Sequence, residues 1–262
     1  MDKLLTVVIP SYNVEKFLNQ TLDSFICDEA VMKKFEVIVV DDGSKDNTAK
    51  IGKEYADKYP DTFRVISKEN GGHGSTINCG IRNAVGKYFK VVDGDDWVNT
   101  ADFVKLVEDL EKTESEYVFT NYYEYYDDVN RQKAVDFPQF KDGTEYDFAD
   151  VANKVYIPMH ALVIKTSVLK DNNIVIDEKC FYVDVEYVMF PVPFVNKVTF
   201  FDLHVYMYRL ALSTQSVSIL GFQKHINDHL RVTFHMFDFY RDYISSDKAD
   251  SAKADYMRTC IA

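Results

Sequence analysis

The chain has 262 residues with a formal net charge of −12, and an excess of that sign excludes the basic surface that nucleic acid or an anionic membrane requires. Apolar residues make up 47% and aromatics 15%, enough for a core of one large domain or one and a half, and no apolar run reaches the roughly 18 residues of a membrane span. Cys27, Cys79, Cys180 and Cys260 are scattered without a Cys-x-x-Cys pair, and Met1-Asp2-Lys3 leads into a strand without a signal-peptide pattern; both predict a cytoplasmic chain with reduced thiols.

In chain order, residues 4–10 form an apolar β-prone run that ends in Ser11-Tyr12-Asn13. Phe17, Leu18, Thr21, Leu22, Phe25 and Ile26 then recur at helical spacing, with Asn13 placed to cap that helix. Residues 35–40 are a second strand ending in Asp41-Asp42-Gly43-Ser44, and a helix over 46–59 stops at Pro60. A short strand over 63–67 leads to the glycine-rich stretch from Lys68 to Gly74, followed by a helix over 75–85 that Gly86 ends. Residues 88–92 are a fourth strand, breaking into Asp93-Gly94-Asp95-Asp96-Trp97, and a helix follows over 100–114.

Beyond residue 116 the character changes. Residues 117–126, 131–135, 157–165 and 198–209 read as aromatic or apolar strands, which predicts a mixed rather than parallel second half. Helical periodicity returns over 222–243, and residues 247–262 form another helix or mark where a longer parent was cut. The strand-helix alternation of the first half predicts a mostly parallel sheet flanked by helices, an α/β fold.

Three strands each end in a polar cluster, the arrangement of an open sheet that binds ligand beyond its carboxyl edge. Acid-x-acid pairs alone are weak, since 42 acidic residues in 262 produce about seven by chance; position gives this one its weight. Carboxylates crowded at Asp93, Asp95 and Asp96 repel one another and call for a hard divalent cation, Mn²⁺ or Mg²⁺, that grips a diphosphate. A planar base needs an aromatic wall and an in-plane acid, for which Tyr12 and Asp42 are suited, with Asp41 the alternative.

Val8-Ile9-Pro10-Ser11-Tyr12-Asn13, Val40-Asp41-Asp42-Gly43-Ser44, Asn70-Gly71-Gly72 and Asp93-Gly94-Asp95-Asp96, in that order, resemble the nucleotide-sugar-binding half of glycosyltransferase family 2. The resemblance is close over about the first hundred residues and implies the GT-A fold and an inverting transfer from a nucleoside-diphosphate sugar. It implies a donor site of Pro10, Ser11, Tyr12, Asn13, Asp41, Asp42, Asn70, Gly71, Gly72, Asp93, Gly94 and Asp95, with Asp95 and Asp93 as metal ligands. Asp96 is either a further ligand or a residue that fixes the loop. The amides of the Asn70–Gly74 stretch are candidates for phosphate or base contact, or an ordinary turn. Ser75-Thr76-Ile77-Asn78 lacks the basic residue that the family often carries there, leaving His73 or Lys68 to supply the charge.

The segment Cys180–Tyr187 resembles the family's acceptor-activating stretch, which makes Asp184 the expected base and Glu186 its competitor. His160 is a contact to donor or acceptor sugar or a hydrogen-bonded core residue, and the tyrosine run 122–126 is an acceptor platform or a buried strand. His225, His229 and His235 sit on the terminal helix, where His225 and His229 share a face at a spacing that can bind metal but without a His-Glu-x-x-His signature. The loop 209–218 resembles a family loop that folds over the donor. The division expected is a nucleotide-sugar half over 1–115, an acceptor half of the same domain over 116–220 and a helical segment over 221–262. The function expected is transfer of one sugar, from a UDP-type donor as the resemblance implies, to a surface-glycan or lipid-linked hydroxyl, with peripheral membrane association in reach. A sugar nucleotidyltransferase and a non-catalytic carbohydrate-binding module are the rivals.

Overall fold

The computed structural model describes residues 3–210 and 219–262. Strands β1 (Leu5–Ser11) and β2 (Phe35–Asp41) are buried along their whole length, as expected where helices cover both faces of a sheet. They pair in parallel, β3 (Phe63–Ser67) extends the sheet beyond β2, and β4 (Tyr88–Val91) joins the other side of β1. The register places Ser11, Asp41 and Ser67 in one row, so the polar groups after three strands share one rim.

The two-residue period of the strands divides the core. Leu5, Val7 and Ile9 of β1 face one cluster, completed by Leu18 and Leu22 of α1 (Leu18–Asp23) and by Phe103, Leu106 and Val107 of α5 (Thr100–Asp109). Helices α2 (Glu29–Met32) and α3 (Thr48–Lys58) complete this face. Val8 faces the other cluster, where α4 (His73–Asn83) lies.

Beyond β4 the second half continues the same sheet, whose far edge is the short strand β5 (Trp97–Val98). Here β6 (Tyr117–Tyr126) is paired by β7 (Arg131–Val135), and β8 (Thr144–Asp147) precedes α6 (Phe148–Ala152). Strand β9 (Leu162–Lys165) is antiparallel to both β4 and β6 and is followed by α7 (Thr166–Asp171) and α8 (Asp184–Met189). The long β10 (Lys197–Leu210) runs parallel to β6. The order is β3-β2-β1-β4-β9-β6-β10-β5, mixed in its second half as the sequence predicts. Helices α9 (Ile219–Lys224), α10 (Ile226–Ile244) and α11 (Ser251–Ile261) complete the chain.

Several expectations need correction. Asn13 does not cap α1: its backbone is left-handed at φ 54°, and its side-chain oxygen accepts from the Lys45 amide at 2.8 Å. The strand expected over 157–165 forms only over Leu162–Lys165, because β4 and β6 offer partners to those residues alone. Helix α4 begins at His73 rather than at 75, and the helix expected over 222–243 is two helices. The loop 211–218, with Ser213, Thr214, Gln215 and Ser216, lies outside the described residues.

Candidate active site

The loops after β1, β2 and β3 are tied together by the residues that the sequence singles out. Asp42 is almost fully buried; its Oδ1 accepts from the Gly71 amide at 2.9 Å and from Lys68 Nζ at 2.6 Å, and its Oδ2 accepts from the Gly72 amide at 2.8 Å. The Gly71 and Gly72 amides are therefore turned to Asp42, not to an open phosphate position, and Lys68 neutralises Asp42. Asn70 Nδ2 donates to the Asp42 carbonyl, while Asp41 Oδ1 accepts from the Ser44 amide. These loops wall a chamber of about 440 Å³ with Pro10, Ser11, Tyr12, Thr76 and Cys180, and the half-exposed Tyr12 ring stands beside it.

That chamber shares Pro10, Tyr12, His73 and Phe181 with a larger cleft of about 630 Å³, into which Asp93, Gly94 and Asp95 project. After β4 the chain keeps following β1, with Val92 N bonded to the Val8 carbonyl and Gly94 N to the Pro10 carbonyl. A Cβ on Gly94 would sit 2.9 Å from that Pro10 oxygen, so the close approach requires glycine.

The two ends of the acidic corner are held differently. His73 Nε2 lies 2.8 Å from Asp93 Oδ1. Burial opposes charge on both groups, but their attraction outweighs it: the imidazole is raised above its ordinary value and the carboxyl lowered below its own. Burial, and then the neighbouring Asp93 charge, push Asp95 up to about 6, and no side chain among the described residues donates to its carboxylate.

Asp96 has the loop-fixing role. It is buried, its Oδ2 accepts from Tyr206 Oη at 2.6 Å and its Oδ1 from the Arg209 amide at 2.7 Å. Burial and then the charges of Asp95 and Asp93 raise its pKa well above the carboxylate range. Tyr206 Oη also accepts from the Asp93 amide, and Arg209 Nε donates to the Asp95 carbonyl. The Arg209 guanidinium stacks 4.6 Å from Trp97 and 4.9 Å from Phe17 and bonds Gln20 and Asp127. Strand β10 thus latches the corner from behind. Neither Tyr206 nor the buried role of Arg209 was expected; the one available signal was a Tyr-x-Tyr-Arg end to an otherwise apolar strand.

Asp184 starts α8 and lines the cleft across from this corner. Burial raises its pKa, His73 opposes the rise and Asp93 adds to it. Glu186 faces away: its Oε2 accepts from the Asp177 amide and its Oε1 lies 3.0 Å from His235 Nδ1. The preceding segment is docked on α4, where Asn78 bonds both the amide and the carbonyl of Ile176 and also Glu178. Gly74 permits this contact, since a Cβ there would overlap the Asp177 carbonyl oxygen. Gly74 and Asn78 thereby hold the segment that leads to Asp184.

His160 lines the cleft, stacked 3.9 Å from the Tyr208 ring, and burial lowers its pKa to about 4. His229 of α10 lines the same cleft, and His225 packs on Phe181. Of the tyrosine run, Tyr122 stacks on His160 while Tyr125 meets Trp97 edge to face. No helix among the described residues is long and apolar enough to cross a membrane.

A mixed sheet of this order, with helices on both faces and an acidic corner at the carboxyl edge of its parallel half, is the GT-A fold. Solved structures of low sequence identity share it. Staphylococcus aureus TarS 1–349 in complex with UDP-GlcNAc is 21% identical with a TM-score of 0.74, over 99% of this chain and 70% of that one. The Pyrobaculum calidifontis mannosyltransferase PcManGT, in complex with GDP-Man and Mn²⁺, is 17% identical with a TM-score of 0.64, over 100% of this chain and 70% of that one.

The profile of Glycosyl transferase family 2 matches residues 6–172, and the chain belongs to that family. Among curated relatives, the uncharacterized glycosyltransferase EpsJ of Bacillus subtilis is 37% identical over 123 residues, 47% of this chain and 35% of EpsJ. The minor teichoic acid biosynthesis protein GgaB of the same organism is 34% identical over 111 residues, 42% of this chain and 12% of GgaB. The matched segments therefore span well under half the length of these relatives.

Proposed function

We propose that the chain is a metal-dependent, inverting glycosyltransferase that moves one sugar from a UDP-type donor to a hydroxyl of a surface-glycan or lipid-linked acceptor. The observation that carries this reading is one continuous cleft joining the Tyr12–Asp42 chamber, the Asp93–Asp95 corner and Asp184. The nucleotide-sugar complexes of TarS and PcManGT, which share the fold, and the teichoic acid role in the name of GgaB agree with it. A cytoplasmic location and peripheral attachment to the membrane belong to the same proposal.

The residues present fit a hard divalent ion. Asp95 offers a carboxylate whose proton affinity is raised by burial and by Asp93, a repulsion that a cation between them would relieve. Asp95 and Asp93 would hold Mn²⁺ or Mg²⁺, which when bound supplies positive charge to the departing diphosphate. The nucleoside base lies against Tyr12 and Pro10, with Ser11, Asn13, Asp41, Asn70, Gly71 and Gly72 shaping that wall around the buried Asp42. Asp184 accepts the proton of the acceptor hydroxyl as its oxygen attacks the anomeric carbon and the bond to the diphosphate breaks. Tyr206 and Arg209 keep the corner from yielding during the step.

The test is a thermal-shift panel of nucleotide-sugars with and without Mn²⁺, since a ligand that binds only the folded chain raises its melting temperature. A UDP-sugar should stabilise the protein in a Mn²⁺-dependent manner, and Asp95→Ala should abolish the metal-dependent part. No response to any nucleotide-sugar, or an Asp95→Ala response equal to wild type, would sink the assignment.

A further inference from the structure

We propose that Asp177, Glu186 and His235 form a second metal site, for a divalent ion of the zinc type, which ties α10 to the segment carrying Asp184. The site lies behind α8, apart from the acidic corner of the cleft. His235 Nδ1 is 3.0 Å from Glu186 Oε1 and 3.3 Å from Asp177 Oδ1, and all the donor atoms lie within 4.8 Å of one another. Bonds of 2.0–2.1 Å in a tetrahedral shell put neighbouring ligand atoms about 3.3 Å apart, close to both separations.

The surroundings aim these atoms at one another. The second oxygen of Glu186 is fixed by the Asp177 amide at 2.8 Å, and the second oxygen of Asp177 by Arg231 Nε at 3.2 Å. Each carboxylate therefore has one oxygen anchored by an outer donor and the other turned inward, the arrangement that orients metal ligands. The ring of Phe190 packs on His235 edge to face with centroids 5.0 Å apart, which limits rotation of the imidazole. Glu186 is fully buried whereas His235 is 43% exposed, so a fourth position opens to solvent on the His235 side.

The donor set selects the ion. One imidazole nitrogen with two carboxylate oxygens suits zinc, cobalt or nickel, while magnesium and calcium prefer all-oxygen shells. On binding, the ion takes the lone pair of Nδ1, which leaves the ring hydrogen on Nε2. Two of the ligands bracket Asp184 in sequence and the third is on α10, so occupancy would stiffen the segment that presents Asp184. The geometry stands independently of the sugar-transfer reading.

The experiment strips the purified full chain with chelator, adds zinc chloride, desalts, and measures bound zinc and melting temperature. Wild type and Asp95→Ala should each retain one equivalent of zinc and melt higher with it. His235→Gln should bind at least tenfold more weakly and lose the zinc-dependent rise. Cobalt-substituted wild type, a readout that needs no variant, should show the intense visible bands of a four-coordinate ion. Equal zinc retention by His235→Gln, or a weak six-coordinate cobalt spectrum in wild type, overturns the proposal. If only Asp95→Ala loses zinc, the ion belongs to the acidic corner and this site is an ion-pair clamp alone.

Discussion

Lys90 is fully buried, and its ammonium meets no carboxylate among the described residues. It donates instead to the carbonyls of His160 at 2.9 Å and Leu162 at 3.2 Å and lies 5.4 Å from the Tyr206 ring centroid. Burial alone pushes its pKa down to about 7 from the ordinary 10.5. The unfolded chain therefore keeps this proton up to pH 10.5, whereas the folded chain releases it from about pH 7 upward. Between those values the unfolded state binds more protons, so stability rises with pH. The gap of about 3.5, at about 1.36 kcal/mol for each, sets an upper bound of about 4.8 kcal/mol. From about pH 6.5 to about pH 9.5 the expected rise is about 3 kcal/mol. Lys90→Met removes the titration; its loss of two hydrogen bonds is independent of pH and shifts the whole curve without tilting it. The assay is urea unfolding of both proteins across that range, read as the difference between them, in which other titrating groups cancel. A difference that stays flat with pH would refute the reasoning.

Tyr206→Phe leaves the Asp93 amide and an oxygen of Asp96 without their shared partner in a buried place, for a loss of about 2–4 kcal/mol by urea unfolding. It should also weaken the Mn²⁺-dependent thermal shift, and a change below about 0.5 kcal/mol would show that the latch is slack. Gly74→Ala places a methyl against Asp177 and Ile176, with a cost of about 1–3 kcal/mol and a fall in transfer rate as the Asp184 segment is pushed off α4. Asp184→Asn should keep the nucleotide-dependent shift while transfer drops by about 10²–10⁴, measured as UDP release. Because burial raises the Asp184 pKa and the base must be ionised, the wild-type rate should climb with pH through a value above the usual aspartate range; a flat acid limb would argue for another base.

The first hundred residues were the legible part. There β1 and β2 are largely apolar runs, since burial on two faces leaves a local signature, and β3 falls on the residues predicted, as do β6 and β7 further along the chain. The polar clusters after β1, β2 and β4 were likewise visible and do meet at one cleft. Less was legible where a residue's task depends on a distant partner. Asn13, read as a helix cap, joins the loop after β2, and Gly71 and Gly72, left open between phosphate or base contact and an ordinary turn, close on Asp42. Asp184 was the expected base with Glu186 its competitor; in the fold Asp184 lines the cleft while Glu186 turns toward His235, a difference of facing that the sequence does not show.

Local pattern by itself determined the strand-helix alternation, the rim of polar residues and the acidic corner, because periodicity and chain breaks are short-range properties. Only the tertiary structure decided that β10, with irregular register between Phe201 and Tyr206, brings Tyr206 and Arg209 against Asp93, Asp95 and Asp96. Those contacts span more than a hundred residues, and no spacing rule reaches that far: burial makes each polar group find a partner wherever the packed chain supplies one.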